Sequence, residues 1–256
     1  MPELHINGQL VTDITLAGQQ VLKIEDSLGN VLYEKGPDYF CLTSQQNGSY
    51  VYGNGRSGVS LECSTDKVNW TTWDWEVYTY LNAGDKLYLR GDNPNGLTTG
   101  MVSDIWSFTM SGSFAASGDL TTLIDKDGGV TTLPDYCFRG LFSEETALSA
   151  APHLNSVTSV GQWSLAGMFE GCTYLSNAIY LKNITSVGSY GCASMYYGCT
   201  LLTAIYAPSV SSWNTTNFQG WVTNIGGTGV MWKPAEVSIP SGANGMPSGW
   251  TTQNYN

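Results

Sequence analysis

Apolar residues recur at a fixed interval in the second half of the chain. Leu141-Phe142 is followed 27 positions later by Met168-Phe169, and 27 positions after that by Met195-Tyr196. The same spacing is kept by Leu148, Leu175 and Leu202, and by the triplets at 131–133, 158–160 and 185–187. A period of about 20 to 50 residues is typical of solenoids, in which each unit buries its apolar face against its neighbours. The repeat therefore favours a binding or structural protein over an enzyme.

Within one unit, the apolar positions predict a short helix and then a brief strand. The apolar residues of 163–172 are spaced by three, one and three positions, as on one face of a helix: Leu165, Met168, Phe169 and Cys172. Ala178 and Tyr180 are expected to point inward from the strand that follows, because alternate strand residues face the same side. The candidate contacts on the outward, concave face are then Asn177, Ile179, Ala204, Tyr206 and Pro152.

The first half of the chain is organised differently. Short runs rich in β-formers, bounded by Gly, Asn, Asp and Pro, predict an antiparallel β-sandwich over 38–118. These runs are 39–42, 58–63, 77–81, 86–90 and 106–112. The sequence thus predicts a mainly β chain in three parts: anchoring strands at 1–37, the sandwich at 38–118, and the solenoid at 119–256, which ends in a cap at 232–250.

The N-terminal segment 1–37 is too short to bury much core by itself. Strand-like runs at 21–25 and 31–34 accompany turn signals at Asn7-Gly8 and 27–30, and Lys35-Gly36-Pro37 predicts a linker. We therefore expect this segment to pack on a partner or on copies of itself.

Charge is scarce and unevenly distributed. Charged residues make up 12% of the 256 residues, against roughly 25% in an average domain, and the net charge is −11. All of the excess negative charge lies before residue 146. The acidic half and the absence of a Lys/Arg cluster argue against nucleic-acid binding. No apolar run approaches the about 18 residues of a membrane span, so membrane insertion is not expected.

Four strings carry a family resemblance. VTSVG at 157–161 and MFEGCTYL at 168–175 resemble the BspA-like leucine-rich repeat, and they recur as ITSVG at 184–188 and MYYGCTLL at 195–202. The runs at 61–67 and 81–91 are similar to the β-domain that precedes such repeats, and 244–251 is similar to the close of such arrays. The array is short, and its first unit has Glu144-Glu145-Thr146 where later units have Gly-Cys-Thr, so this unit is expected to be a cap.

Proteins of this type are encoded by gut Bacteroidetes and by their tailed phages, including crAss-like phages. The resemblance implies a non-enzymatic structural or adhesive protein on the virion surface: a head fibre, a capsid decoration or a tail-fibre component. It implies a homotrimer held to other virion proteins by its N-terminal segment, with repeats that meet a host glycan or protein. The alternative is a bacterial cell-surface adhesin. The absence of a basic region and apolar run at Met1–Gly8 favours the virion.

The sequence contains no constellation that predicts catalysis, and it predicts no cofactor or metal. His5 and His153 are far apart in sequence, and the adjacent Glu144 and Glu145 point apart in a helix or a strand. The six cysteines form no CxxC pair, so a zinc site is not expected. Buried free thiols are favoured over a disulfide between Cys172 and Cys199, which share a repeat position.

Three further motifs have simple structural explanations. The start of a calcium loop at 125–129 lacks the later ligands, which predicts a plain turn. Arg90-Gly91-Asp92 is an integrin-type tripeptide that is expected to begin a turn. The aromatic-rich stretch is a candidate sugar-stacking platform or subunit contact, although alternation predicts that half of its members lie in the core; these are Trp70, Trp73, Trp75 and Tyr78.

Overall fold

The computed structural model describes residues 37–101 and 104–255, together with the backbone of six short strands that precede them. The chain divides into two compact units, Met1–Pro37 and Asp38–Asn256. The fold is mainly β and has several sheets. Within the described residues the sole helix is one 3-10 turn, Leu120–Leu123, whose first turn is capped by the Asp119 carboxylate.

The first unit contains three antiparallel strand pairs. The pairs are β1 (His5–Ile6) with β2 (Gln9–Leu10), β3 (Ile14–Leu16) with β4 (Gln19–Val21), and β5 (Lys23–Glu25) with β6 (Val31–Glu34). The predicted turns at Asn7-Gly8 and 27–30 lie outside the described residues, as does most of the predicted linker, Lys35-Gly36.

The second unit begins with two sheets. Its strands are β7 (Phe40–Ser44), β8 (Ser49–Gly55), β9 (Leu61–Ser64), β10 (Thr71–Thr72), β11 (Thr79–Leu81), β12 (Lys86–Gly91), β13 (Trp106–Ser111) and β14 (Phe114–Ser117). One sheet has the order β11-β8-β13, and the other has the order β10-β9-β12-β7-β14 followed by Leu148–Ala150. The five predicted strand runs of this region are confirmed.

Strand β8 was not predicted, because its SYVYGNG sequence contains residues typical of turns. Gly53 is nevertheless required within the strand, since a Cβ there would lie 2.5 Å from the indole ring of Trp106. Strand β8 pairs with β13 along six residues, so that this indole crosses the position that a side chain would occupy.

Parallel strands organise the rest of the chain. They are β15 (Thr132–Leu133), β16 (Leu148–Ala150), β17 (Ser159–Val160), β18 (Ser186–Val187), β19 (Ala204–Tyr206), β20 (Val230–Lys233) and β21 (Thr251–Asn254). β15, β17 and β18 pair in the order and register of the 27-residue repeat. β19, β20 and β21 form a second parallel sheet, in which β20 overlaps the start of the predicted C-terminal cap at 232–250 and β21 directly follows it.

A continuous stack of aromatic rings joins the two sheets to the repeats. The centroids of Phe40 and Phe108 are 5.6 Å apart, and those of Phe108 and Phe142 are 5.3 Å apart. The stack continues through Phe169 to Tyr196 at 5.5 and 5.8 Å, with ring planes inclined by 2° in both pairs. All five side chains are buried. The regions predicted as sandwich and solenoid therefore share one core.

The helix predicted at 163–172 is wrong, because this segment is a run of turns. Its alternate N–H groups donate to the next unit, as Gly167 donates to Ala193 O at 2.8 Å. The intervening N–H groups donate to the carbonyl three residues earlier, as Met168 donates to Leu165 O. Every amide donor is thereby used without the regular hydrogen bonds of a helix.

The sequence pattern does not distinguish these turns from a helix. Every fourth residue has a positive φ: 58° at Trp163, 61° at Gly167 and 74° at Gly171. A period of four brings residues i, i+3, i+4 and i+7 to one side, as a helix does. The apolar residues that suggested a helix are accordingly all buried.

The six cysteines are free, as predicted. The thiols of Cys172 and Cys199 donate to the backbone carbonyls of Phe142 and Phe169, both at 3.0 Å. Burial raises the pKa of the Cys199 thiol to about 12, and a hydrogen bond from the backbone N–H of Cys172 opposes this shift only in part. The repeated cysteines therefore act as small, protonated core residues.

Candidate functional site

An aromatic ladder, defined here as Tyr180, Tyr206 and Trp232, lies on the outside of the repeats. The ring centroids of Tyr180 and Tyr206 are 3.9 Å apart, and those of Tyr206 and Trp232 are 6.1 Å apart. Tyr180 is 46% exposed and the other two are half-buried. The rings stack face to face, so their edges and polar tips remain for contact with a partner.

Parallel pairing holds the ladder in register. Tyr206 is paired with Trp232 between β19 and β20, and an isolated bridge pairs Tyr180 with Tyr206. Ile205 and Met231, the neighbours of the ladder residues, are fully buried and anchor the strands to the core. The ladder is therefore a rigid amphipathic surface, which loses little conformational entropy when it binds.

The two tyrosine hydroxyls of the ladder interact with each other. The Tyr180 hydroxyl donates to the Tyr206 hydroxyl at 3.3 Å. This hydrogen bond, together with partial burial, raises the pKa of Tyr206. The raised pKa keeps the Tyr206 hydroxyl protonated, so that it can donate to a partner.

The predicted concave-face residues are divided between surface and core. Asn177 is exposed, and Ala204 and Tyr206 are half-buried above the fully buried Ile205, as expected for outward positions. Ile179 and Pro152 are buried, so their prediction as surface contacts is wrong.

A change in register explains this error. The predicted alignment placed Ile179 beside Tyr206 at a spacing of 27, whereas the structure pairs Tyr180 with Tyr206 at a spacing of 26. A shift of one residue exchanges the inward and outward positions of a strand. Sequence analysis missed Tyr180 and Trp232 for this reason, although the 26-residue recurrence of aromatic residues was a usable signal.

The predicted aromatic platform does not form one surface. Trp73 is 4% exposed, and its indole N–H donates to Thr79 Oγ1 at 2.9 Å. Trp75 packs against the core and donates to Val59 O at 3.1 Å. Trp70 lies beneath the Arg90 guanidinium, 4.1 Å from its ring centre. Trp73 and Trp75 thus pack with the core, as predicted for half of the stretch, although 73–78 lies between strands and does not alternate as a strand would.

The fourth member, Tyr78, belongs to a different group, the tyrosine cluster of Tyr50, Tyr52, Tyr78 and Tyr80. Tyr78 contacts Tyr50 and Tyr52 edge to face, with centroids 4.9 and 4.8 Å apart. Tyr78 is 51% exposed and Tyr80 is 68% exposed. The outer face of the β11-β8-β13 sheet therefore carries a second exposed aromatic surface.

The charged motifs are engaged in structural contacts. Arg90 pairs with Glu62 at 2.6 Å and Asp92 pairs with Lys126 at 2.8 Å, while the intervening Gly91 is buried in β12. The tripeptide therefore ends a strand and is not an exposed loop. Around Asp125 the chain forms the predicted turn, in which the Asp127 N–H donates to the Asp125 carboxylate.

Glu144 and Glu145 point in different directions. Glu144 is exposed, whereas Glu145 is 7% exposed and accepts a hydrogen bond from the Met110 N–H at 2.9 Å. Burial raises the pKa of Glu145 from 4.5 to about 7, and the hydrogen bond opposes the shift. His153 contacts the carboxylate of Asp38 through Nε2 at 2.8 Å. Glu145 and His153 are each engaged in a contact within the fold.

The described residues contain neither a metal-binding cluster nor a membrane-spanning helix. Across 37–101 and 104–255, no three His, Cys, Asp or Glu side chains are placed to hold a metal ion together. No helix in the same part of the chain is long and apolar enough to cross a membrane. Compared with known proteins, the chain matches no family model, no curated protein and no solved structure.

Proposed function

We propose that this chain is a non-enzymatic structural and adhesive protein on the surface of a tailed-phage virion, as a head fibre, capsid decoration or tail-fibre component. Its parts would be N-terminal anchoring strands, a β-sandwich and a short leucine-rich-repeat solenoid that contacts the host. The observation that carries the proposal is the aromatic ladder, because it crosses successive repeats and faces outward.

Stacked backbone hydrogen bonds support the solenoid. The N–H groups of Thr158 and Thr185 each donate at 2.8 Å to the carbonyl 27 residues earlier, and the turns of adjacent units are joined in the same manner. Each unit packs its apolar face against the next unit, as the stacked rings of Phe142, Phe169 and Tyr196 show. Such arrays offer an extended surface whose length follows the number of units.

The chemistry of the ladder supports contact with a surface. Tyrosine and tryptophan are enriched at interface hot spots, because they combine a large apolar area with one polar tip. The residues after Glu145 are formally neutral, with Glu170 and Glu236 balanced by Lys182 and Lys233. Adhesion through this part of the chain would depend little on salt.

The proposed assembly is a homotrimer attached to other virion proteins through residues 1–37. The alternative is a surface adhesin of a gut Bacteroidetes bacterium, which would use the same ladder from a different anchor. The location of the chain separates the two.

Immunogold electron microscopy of purified particles, from a culture that expresses this chain, tests the proposal. We expect label on particles, at capsid vertices or at tail tips, and the position distinguishes decoration from a receptor-binding part. Unlabelled particles beside a labelled bacterial envelope would reject the virion and support the adhesin. An antibody of unrelated specificity serves as the control.

A further inference from the structure

A cleft of about 310 Å³ lies where β13 meets the turns of the repeats. Ser107 of β13 and Ile105, which precedes this strand, close one side, and the turns contribute Arg139, Trp163, Glu170 and Ser194. Ligand sites have volumes of roughly 300–1,000 Å³, so the cleft has room for a small ligand group. It is separate from the ladder, with which it shares no residue.

The floor of the cleft is open because its residues are small. Gly140, Gly167 and Ser194 occupy equivalent turn positions with φ values of 65°, 61° and 52°, a conformation that favours glycine. Ala166 and Ala193 lie beside them. The backbone conformation that stacks the turns therefore also produces a trough along the array.

The floor offers little backbone hydrogen bonding to a ligand. The Gly140 N–H donates to Ala166 O at 2.9 Å, and the Gly167 N–H donates to Ala193 O at 2.8 Å. Extended peptides are recognised largely through backbone hydrogen bonds at an open strand edge. A ligand here must instead be held by side chains, which disfavours a peptide.

The side chains of the cleft provide both hydrogen-bond acceptors and donors. Glu170 is half-exposed, and its pKa is raised by partial burial and by Glu144, while Arg139 opposes this shift. Among the described residues no ion pair joins Arg139 to Glu170. One guanidinium nitrogen of Arg139 donates to Met101 O at 2.6 Å, and its other N–H groups are available.

The aromatic wall completes the cleft. Trp163 stacks on Tyr190 with centroids 4.3 Å apart, and the Arg139 guanidinium lies 5.8 Å from the Trp163 ring centre. Trp163 lines the cleft together with Arg139. The indole therefore provides an apolar boundary beside the charged side chains of Arg139 and Glu170.

We propose that the cleft binds a neutral sugar residue of a glycan through two adjacent hydroxyl groups. The Glu170 carboxylate accepts hydrogen bonds from both hydroxyls, and Arg139 donates to the oxygen atoms of the ring or of a hydroxyl. The C–H groups of the sugar lie against the small residues of the floor and the Trp163 indole. This inference rests on the proposed function, since it specifies the chemistry of one host contact.

The test uses the full chain on an array of neutral hexose and N-acetylhexosamine oligosaccharides, followed by calorimetry with the strongest-binding one. We expect Glu170→Gln, which keeps the size of the side chain, to weaken binding about tenfold, because a hydrogen bond to a charged acceptor is lost. Glu236→Gln, an exposed change in the C-terminal region, is the matched control and should bind as the parent does.

Three outcomes would overturn the cleft as a glycan site. They are that no oligosaccharide binds, that Glu170→Gln binds as tightly as the parent, or that peptides displace the bound oligosaccharide whereas other sugars do not. These outcomes are distinguishable from failure of the proposed function, since particle labelling is independent of glycan binding. If particles are labelled but the chain binds no glycan, only the glycan site in the cleft is rejected. If the chain binds a glycan but particles are not labelled, only the virion location is rejected.

Discussion

Phe169→Ala is expected to lower the free energy of unfolding of the Asp38–Asn256 unit by about 3–5 kcal/mol. Phe169 is 0% exposed and lies between Phe142 and Tyr196 in the ring stack. The substitution removes a large, fully buried apolar ring from this repeat unit. It leaves a cavity that the hydrogen-bonded turns on either side cannot close. Urea denaturation followed by tryptophan fluorescence measures the change.

Tyr174→Ala is the matched control, because this ring is 64% exposed and lies five residues further along the same unit. It should change the free energy of unfolding by no more than about 0.5 kcal/mol. A loss below about 1 kcal/mol for Phe169→Ala would contradict the shared core, since the ring would then contribute no more than a surface residue.

Glu145→Gln is expected to stabilise the protein at neutral and alkaline pH. The folded-state pKa of Glu145, about 7, lies above its ordinary value of 4.5 because the carboxyl is buried. The stability that its protonated form provides is fully present below about pH 4.5 and is lost as pH rises through about 7. At about 1.4 kcal/mol per pKa unit, the total loss is about 3 kcal/mol.

The glutamine variant removes this loss and keeps the hydrogen bond from Met110, because its amide oxygen accepts in the same place. The difference in unfolding free energy between variant and parent should be small at pH 4 and reach about 3 kcal/mol by pH 8. Taking the difference cancels the pH dependence that the variant and the parent share. A difference that is equal at pH 4 and pH 8 would contradict a buried, protonated Glu145.

The sequence predicted the parts of the fold that depend on burial alone. The 27-residue recurrence matched the pairing of β15, β17 and β18, since identical units bury the same face against each other. The alternating runs of 38–118 matched observed strands for a related reason, because a period of two separates the buried face from the exposed one. Strand β8 was missed because its glycines are typical of turns, and the contact with Trp106 that explains them is not visible in the sequence.

The local backbone conformation and the register of the strands could not be predicted from the sequence pattern. A four-residue turn period and a helix place the same apolar residues on one face, so 163–172 did not reveal its hydrogen bonding to the next unit. The change of register from 27 to 26 residues moved Ile179 into the core and brought Tyr180 onto the surface. The cleft is lined by residues that are distant in sequence, including Ser107, Arg139 and Glu170, so their proximity could not be predicted from the pattern.

Adhesion of the purified chain to a panel of gut Bacteroidetes strains tests most directly whether the ladder binds the host cell surface. The variant carries Tyr180→Ala with Tyr206→Ala, and the control carries Tyr78→Ala with Tyr80→Ala, which removes two exposed tyrosines elsewhere. We expect the parent and the control to bind at least one strain, and the ladder variant to bind at least about tenfold more weakly. Equal binding by both variants, or no binding by the parent, would contradict the account.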